Sequence, residues 1–174
     1  MILGMTAAFP ITCTFSSPQA TAAFAARLAP LLRPGDTLLL DGEIGTGKTH
    51  FARAIIQTRL ATVGRAEDVP SPTYTLVQAY TDGIVDLQHV DLFRLTAPED
   101  VFDLGLDDAF REAVCIVEWP DRLAGHRPKG AILIKFETRD DPGVRVLTFH
   151  ATAQRWSQLL PLFDSVTTSD VAYV

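Results

Sequence analysis

An eight-residue string, Gly-Glu-Ile-Gly-Thr-Gly-Lys-Thr at positions 42–49, constrains this chain more than any other feature of its sequence. It fits the pattern G-x-x-x-x-G-K-[ST], which is typical of phosphate-binding loops, at every position. The glycines allow the backbone to curl so that successive N–H groups face phosphate oxygens. Lys48 is expected to contact the β- and γ-phosphates, and the Thr49 hydroxyl is expected to bind Mg²⁺. The alternative interpretation is a glycine-rich turn that binds nothing.

The segments on both sides of this loop have the pattern that a phosphate-binding loop requires. Residues 36–41 form a short apolar run after the turn signal Pro34-Gly35, which predicts a buried strand. Apolar side chains at 51, 52, 55 and 56 then follow a helical period. A helix that begins at the loop would direct the positive end of its dipole at the phosphates. The order strand, loop, helix therefore favours the phosphate-binding interpretation.

The rest of the sequence predicts further strands and helices around this unit. A strand at 11–16 precedes a helix that has Ser17 as its N-cap and Pro18 at its first position, and that is expected to extend through residue 31 and to end near Pro34-Gly35. The other predicted elements are hairpins at 74–80 with 84–92 and at 131–137 with 144–150, short helices that open at 98–100 and at 107–111, a buried strand at 113–117, and a helix at 155–163.

These elements predict an α/β fold: a P-loop NTPase-type mixed sheet with a parallel core and added antiparallel hairpins, flanked by helices. Open α/β sheets bind ligands at the carboxyl ends of their strands, which is where the loop would lie. The length of 174 residues favours one domain. We predict a single P-loop ATPase domain over residues 1–163 and a flexible C-terminal tail over residues 164–174.

Charge and composition argue against several classes of protein. The formal net charge of −6 argues against direct binding of nucleic acid through a basic face, so a partner protein would hold any RNA. No apolar stretch reaches about 18 residues, so no membrane span is expected. Residues 1–9 lack the basic leading segment of a signal peptide. Cys13 and Cys115 each lie in an apolar run, which predicts buried thiols in a reducing cytoplasm.

Hydrolysis of a bound nucleotide needs an acidic group beside the loop, and two carboxylates are placed to supply one. Glu118 directly follows the buried apolar run, and Asp91 follows Val90 at the end of a hairpin strand. We predict that each holds Mg²⁺ or orients water. The alternative for Asp91 is an acid in a strand-end turn. His89 lies two residues before Asp91, so both side chains would face the same side of an extended segment.

Three further features lie near the predicted site. Trp119 would gate water or report the nucleotide state if it lies beside the phosphates, and otherwise it is a packing aromatic. The segment Ser-Pro-Thr-Tyr at 71–74 follows a loop, where P-loop proteins have switch segments, and its alternative is ordinary turn chemistry. His50 is expected to be a solvent-facing helix residue rather than a catalyst.

Taken together, these motifs resemble one known family. In chain order they are Gly-Glu-Ile-Gly-Thr-Gly-Lys-Thr at 42–49, Ser-Pro-Thr-Tyr-Thr-Leu at 71–76, His-Val-Asp-Leu-Phe-Arg-Leu at 89–95, Asp-Leu-Gly-Leu at 103–106 and Val-Glu-Trp-Pro at 117–120. The combination is similar to that of the bacterial TsaE (YjeE) family, the ATPase subunit of tRNA threonylcarbamoyladenosine biosynthesis. The resemblance extends over residues 15–150. It is more specific than the loop alone, because generic P-loop kinases lack the Ser-Pro-Thr and Glu-Trp-Pro elements.

The resemblance implies a cytoplasmic ATPase that uses ATP and Mg²⁺, turns over slowly alone and acts with the partner proteins TsaB and TsaD. Those partners transfer threonylcarbamoyl to the adenosine beside the anticodon in tRNAs that read codons beginning with A. The ATPase would reset or activate the partners between turnovers. It would meet tRNA only indirectly, through this complex, and would involve neither DNA nor a membrane.

The resemblance also assigns roles to residues. Lys48, Asp91 and Glu118 would be catalytic, with Mg²⁺ held by Thr49 and Glu118. The residues expected to bind the nucleotide are Gly42, Glu43, Ile44, Gly45, Thr46, Gly47, Lys48, Thr49, His50, Thr21 and Trp119. Thr21 stands where family members place a threonine near the adenine. Two positions depart from the family: His50 replaces a frequent second threonine, which puts a role for that hydroxyl in doubt, and Phe93 replaces a common tyrosine, so a phenol there cannot be essential.

Two other functions remain open at this point. A small-molecule P-loop kinase would need a basic lid, for which Arg122 and Arg127 are candidates. A non-catalytic module that binds partners in response to nucleotide would use the loop without the acids. A GTPase is disfavoured, because the sequence lacks the guanine motif N-K-x-D and its D-x-x-G string, at 140–143, lies in a hairpin turn.

Overall fold

Parallel strand pairing at the centre of a single sheet organises the fold. The computed structural model describes residues 9–166 and the backbone of 171–173. Its strands are β1 (Ile11–Phe15), β2 (Thr37–Asp41), β3 (Val77–Thr81), β4 (Asp86–Asp91), β5 (Val114–Glu118), β6 (Ile132–Thr138), β7 (Arg145–His150) and β8 (Val171–Tyr173). Their order across the sheet is β3-β4-β5-β2-β6-β7-β1-β8.

Three of the strand pairs are parallel and hold the centre of the sheet. They join β4 to β5, β5 to β2 and β2 to β6, whereas the remaining pairs are antiparallel. Every residue of β5 is buried, as expected for a central parallel strand covered on both faces. The α/β fold, with a parallel core and added antiparallel hairpins, is therefore confirmed.

Helices cover both faces of the parallel core. They are α1 (Pro18–Leu28), α2 (Lys48–Ala61), α3 (Asp100–Asp103), α4 (Leu106–Glu112) and α5 (Leu160–Asp164), with 3-10 turns at Ala29–Leu31, Pro120–His126 and Gln154–Leu159. The helical period predicted after the glycine loop is confirmed, because the buried apolar face of α2 consists of Phe51, Ala52, Ile55, Ile56 and Leu60.

The apolar core has two parts, one on each face of the sheet. Leu38 and Leu40 of β2 pack in the larger cluster with α1, α2 and α5, whereas Leu39 packs in the smaller cluster with α3 and α4. This alternation follows from the two-residue period of a strand. As a result, apolar packing on both faces holds β2 in place, and this fixes the position at which the following loop begins.

Prolines shorten two of the helices predicted from the sequence. The first helix was expected to extend to residue 31, but α1 ends at Leu28 and a 3-10 turn containing Pro30 follows. The helix expected at 155–163 is a 3-10 segment followed by the five-residue α5, whose first turn contains Pro161. Proline has no N–H to donate to the helical ladder, which explains why the α-helical pattern breaks at both places.

The first hairpin strand begins later than the sequence predicted. It was expected from residue 74, but β3 starts at Val77. Leu76 adopts a left-handed conformation with φ of +66°, and its N–H donates to the Pro72 carbonyl at 2.7 Å. The segment before β3 is therefore a tight turn rather than an extended strand.

The C-terminal prediction concerns residues that the structure describes only in part. Of the tail predicted at 164–174, residues 167–170 and 174 lie outside the described residues. Val171–Tyr173 runs antiparallel to β1. The division of the chain into a domain over 1–163 and a flexible tail stays a prediction.

The predictions about membrane spans and about the two cysteines can be compared with the residues that the structure describes. None of the helices described there is both long and apolar enough to span a bilayer. Cys13 and Cys115 are fully buried, as predicted. Burial raises the pKa of the Cys115 thiol to about 12, so this side chain is not a nucleophile in the folded protein.

The N-terminal cap of α1 offers a direct test of the fold. The Ser17 hydroxyl accepts the Ala20 N–H at 3.1 Å, which confirms the predicted N-cap. We expect Ser17→Ala to lower the free energy of unfolding by about 1 kcal/mol, because it leaves that N–H unsatisfied. Chemical denaturation would measure the change. Ser16→Ala, at the exposed neighbouring position, is the control and should have little effect; equal losses in both variants would contradict the capping role.

Candidate functional site

The glycine loop joins β2 to α2 and folds back on itself. Gly42, Gly45 and Gly47 have φ values of +154°, +81° and +104°, which L side chains rarely adopt. At Gly42 there is also no room, because a Cβ atom would lie 2.7 Å from the carbonyl oxygen of Phe136. The loop conformation thus requires glycine where the sequence has it.

Lys48 begins α2 and turns its ammonium group into the loop. Nζ donates to the carbonyl oxygens of Gly42, at 2.5 Å, and Glu43, at 2.7 Å, and it lies 4.3 Å from the centre of the Trp119 ring. Burial lowers the pKa of Lys48, and attraction by nearby carboxylates, Glu118 first among them, opposes that shift. The ammonium therefore lies inside the loop, between carbonyl oxygens and an aromatic face.

Thr49 and Glu118 form the second part of the site. The Thr49 hydroxyl lies 2.9 Å from both carboxylate oxygens of Glu118. Glu118 is buried, and its Oε1 also lies 2.8 Å from Nε2 of His89. A hydroxyl and a carboxylate are hard oxygen donors of the kind that Mg²⁺ prefers.

The donor set of Thr49 and Glu118 fits Mg²⁺ better than a metal held by protein alone. Among the residues that the structure describes, no group of three His, Cys, Asp or Glu side chains could hold a metal ion. Mg²⁺ usually takes one or two protein ligands and completes its shell with water and substrate phosphates. Thr49 at the start of α2 and Glu118 at the end of β5 supply two such oxygen donors next to the loop.

Asp91 lies beside Glu118 because β4 and β5 run parallel with these residues in register. Its Oδ1 accepts the Phe93 N–H at 2.9 Å, and its Oδ2 accepts the Thr73 hydroxyl at 2.8 Å. Thr73 in turn lies 2.8 Å from the Ser71 hydroxyl. The Ser-Pro-Thr-Tyr segment is thereby tied directly to this acid.

These residues surround a cavity of about 220 Å³ at the carboxyl ends of the parallel strands. Its walls are Ile44, Gly45, Lys48, Thr49, Thr73, Asp91, Phe93 and Trp119. The rings of Phe93 and Trp119 are 5.0 Å apart and tilted against each other. Trp119 therefore packs against another aromatic ring and also lines the cavity, and its role in gating water or reporting the nucleotide state stays a prediction.

Two residues expected to bind the nucleotide lie away from this cavity. His50 points toward α1, with Nε2 3.0 Å from the Pro18 carbonyl oxygen. Thr21 is buried in α1, and its hydroxyl donates to the Ser17 carbonyl at 3.3 Å. Neither side chain lines the cavity. His50 thus links α2 to α1, and Thr21 bonds within α1; contact of either residue with a nucleotide stays a prediction.

The remaining loop residues differ in their environment. Thr46 is buried and its hydroxyl donates to the Glu43 carbonyl at 2.8 Å, which tightens the turn. Ile44 is 75% exposed and forms the rim of the loop. Gly42 and Glu43 also line a second cavity of about 550 Å³, on the side of β6 and β7.

Arg145 supports the loop from outside, a role that no pattern in the sequence indicates. From the start of β7, its Nε donates to the Thr46 carbonyl at 2.9 Å and its Nη2 to the Gly45 carbonyl at 3.3 Å. Nη1 donates to the carbonyls of Pro142 and Val144. One guanidinium therefore fastens the glycine loop to the hairpin between β6 and β7.

Comparisons with known proteins agree with the geometry. A family model described as threonylcarbamoyl adenosine biosynthesis protein TsaE matches residues 15–146. The tRNA threonylcarbamoyladenosine biosynthesis protein TsaE of Bacillus subtilis is 34% identical over 144 residues, which make up 82% of this chain and 87% of that protein. The protein of the same name from Treponema pallidum is 33% identical over 137 residues, 78% of this chain and 97% of its own length.

A solved structure extends the likeness to three dimensions. The crystal structure of Bacillus subtilis YdiB superposes with a TM-score of 0.68 and 28% sequence identity. The superposition covers 91% of this chain and 94% of that one. The likeness therefore extends over most of the chain and is not limited to the loop.

The role of Arg145 leads to a prediction about the loop. We expect Arg145→Met to lower the free energy of unfolding by about 1–3 kcal/mol, because it leaves loop carbonyls without their donor. Backbone amides at residues 43–47 should exchange faster with solvent, which hydrogen exchange would measure. Arg145→Lys should recover little of this, since an ammonium cannot reproduce the planar fork. Arg139→Met, at an exposed position in the same hairpin, is the control; faster loop exchange in that variant as well would contradict the assignment.

Proposed function

The chain belongs to the TsaE family, and from this membership we propose that it is a Mg²⁺-dependent P-loop ATPase that serves tRNA threonylcarbamoyladenosine biosynthesis. Its ligands would be ATP and Mg²⁺. Its relatives from Bacillus subtilis and Rickettsia conorii carry the name of that biosynthesis. The proposal extends their role to this chain.

One observation supports the ATPase proposal more than any other. Lys48, Thr49 and Asp91 line one cavity at the carboxyl edge of the parallel core, and Glu118 contacts Thr49 at its base. A phosphate-binding lysine, an oxygen ligand pair and a separate acid are the parts that hydrolysis of a nucleoside triphosphate requires.

In the proposed mechanism, different residues bind the phosphates, hold Mg²⁺ and orient the attacking water. Backbone N–H groups of the loop and the ammonium of Lys48 would bind the phosphates and stabilise negative charge on them. Thr49 and Glu118 would hold Mg²⁺, which supplies further neutralisation of phosphate charge when bound. Asp91 would accept a hydrogen bond from the attacking water and orient it toward the terminal phosphate.

The aromatic wall has a separate role in this mechanism. Trp119 and Phe93 close one side of the cavity beside Lys48. An apolar wall excludes bulk water and strengthens the electrostatic interactions within the site. It would also make Trp119 sensitive to the nucleotide state.

The partners proposed for the chain are homologues of TsaB and TsaD in the cytoplasm. The net charge of −6 makes direct contact with tRNA unfavourable, so the complex would hold the RNA. Transfer of threonylcarbamoyl to adenosine would occur in the partners. Hydrolysis by this chain would reset or activate them between turnovers.

The kinase alternative receives no support from the basic residues named for it. Arg122 lies in an exposed pair with Asp121 at 3.9 Å, and Nε of Arg127 donates to the Pro120 carbonyl at 3.1 Å. Arg122 belongs to the 3-10 segment after β5 and Arg127 directly follows it, and neither lines the cavity with Lys48. No second function is proposed.

The assignment of Asp91 can be tested by separating binding from hydrolysis. We expect Asp91→Asn to bind Mg-ATP with little change but to hydrolyse it about 10²–10⁴-fold more slowly, because an amide is a poor proton acceptor. Calorimetry would measure binding and phosphate release would measure hydrolysis. Asp86→Asn, at an exposed position of the same strand, should leave both unchanged. Full hydrolysis by the Asp91 variant would rule out its catalytic role.

The partner proposal has its own test. We expect slow ATP hydrolysis by the isolated chain and a clear increase when TsaB and TsaD homologues are added together. Depletion of the protein in cells should lower threonylcarbamoyladenosine in tRNA, measured by mass spectrometry of digested tRNA. Lys48→Ala, which removes the phosphate contact, should fail to restore the modification. An ATPase rate that ignores the partners, together with normal tRNA modification after depletion, would refute the proposal.

A further inference from the structure

A buried histidine contacts the base of the site without lining it. His89, in β4, is completely buried, and its Nε2 lies 2.8 Å from Oε1 of Glu118. Its other ring nitrogen, Nδ1, has no hydrogen-bond partner among the residues that the structure describes. Glu118 is therefore the one polar group in that part of the chain to which this ring is hydrogen-bonded.

The position of His89 is costly for a purely structural residue. Its neighbours on the same core layer, Leu87 and Ile116, are apolar and fully buried. An unpaired ring nitrogen in such surroundings destabilises the fold relative to an aliphatic side chain of similar size. Departures from the rules of core packing are expected where function requires them. The contact with Glu118 is what an aliphatic side chain could not provide.

The chemistry of this contact fixes the direction of the hydrogen bond. A carboxylate can only accept, so Nε2 of His89 carries the proton and donates to Oε1. The Thr49 hydroxyl, whose single proton the two carboxylate oxygens share, lies 2.9 Å from both Oε1 and Oε2. Two donors, one on a core strand and one on α2, therefore define the orientation of the Glu118 carboxylate.

Without the imidazole, the carboxylate would have a competing partner. Lys48 is buried near Glu118, and its pKa reflects this: burial lowers it, and attraction by Glu118 opposes the shift. A carboxylate that rotated toward the ammonium would leave Thr49, and the two oxygen donors would no longer face the same point. A donor on the opposite side, held rigidly in the sheet, keeps the two groups apart.

We propose that His89 is a positioning residue that holds the Glu118 carboxylate against Thr49, in the orientation that binds Mg²⁺. This inference rests on the proposed nucleotide site, because it concerns the metal ligand of that site. It assigns no contact with the nucleotide to His89. Its effect is on the affinity for Mg²⁺ and not on the affinity of the loop for phosphates.

The experiment measures binding rather than turnover. Calorimetry would give the affinity of the protein for ADP in EDTA and over a series of Mg²⁺ concentrations, for the wild type and for His89→Leu and His89→Gln. Leucine preserves the packing and removes the donor. Glutamine returns an N–H donor at a similar reach from the backbone. His126→Gln, in the 3-10 segment away from the cavity, is the matched control.

We expect His89→Leu to raise the Mg²⁺ concentration needed for tight ADP binding by about 10–100-fold, as is usual when a hydrogen-bond partner of a metal ligand is lost. Its affinity for ADP in EDTA should stay close to that of the wild type. His89→Gln should need nearly the same Mg²⁺ concentration as the wild type for tight ADP binding, and His126→Gln should need the same concentration. Recovery by glutamine separates positioning from packing, since a purely structural role would not depend on a donor.

Three outcomes would overturn the inference. The first is an unchanged Mg²⁺ dependence in His89→Leu, and the second is an equal loss of ADP binding with and without Mg²⁺. If His89→Leu does not fold, His89→Met, whose side chain adapts to irregular packing, replaces it; if neither folds, His89 acts in folding and the inference is wrong. Failure of the proposed function looks different, since Mg²⁺ would then leave ADP binding by the wild type unchanged.

Discussion

The site depends on the parallel pairing of β4, β5 and β2 in one fixed register. Asp91 is paired with Glu118, and Glu118 with Leu40, one residue before the end of β2. Parallel strands end at the same edge of a sheet, so this register brings two acids from distant parts of the chain to the start of the glycine loop. A shift of one residue would turn both side chains to the opposite face. The apolar layers on the two faces resist such a shift, because Leu39 and its neighbours in β2 fit opposite clusters.

The loop itself is held from two directions. Inside, the ammonium of Lys48 bonds to the carbonyls of Gly42 and Glu43; outside, the guanidinium of Arg145 bonds to those of Gly45 and Thr46. With these carbonyls engaged by cations, the loop keeps its curled form, and groups that are set in advance lose little entropy when a ligand arrives. The same arrangement explains why a hairpin far from the loop in sequence belongs to the site.

Most features that could be predicted came from patterns of residues that are neighbours in the sequence. The loop, the Ser17 cap and the buried run before Glu118 each depend on neighbours in sequence, and the structure has all three. Strand ends made Asp91 and Glu118 candidates, because the carboxyl edge of a sheet is a general property of the fold class. Arg145 escaped prediction since its acceptors are backbone carbonyls of a distant segment, which leave no mark in the sequence. The prolines at 30 and 161 were visible, but how far each would shorten its helix depends on packing.

Asp91 and Glu118 lie side by side, yet their surroundings suit them to different work. Glu118 is held by Thr49 on α2 and by His89 on a core strand, both parts of the rigid framework. A ligand of a small cation needs that rigidity, because Mg²⁺ demands near-ideal octahedral geometry. Asp91 instead bonds to Thr73, in a surface turn with the exposed Tyr74. An acid tied to such a turn can change its partner when the turn moves. In the proposed mechanism, the acid that orients water is therefore bonded to a surface turn, while the proposed Mg²⁺ ligand is held by the sheet and by α2.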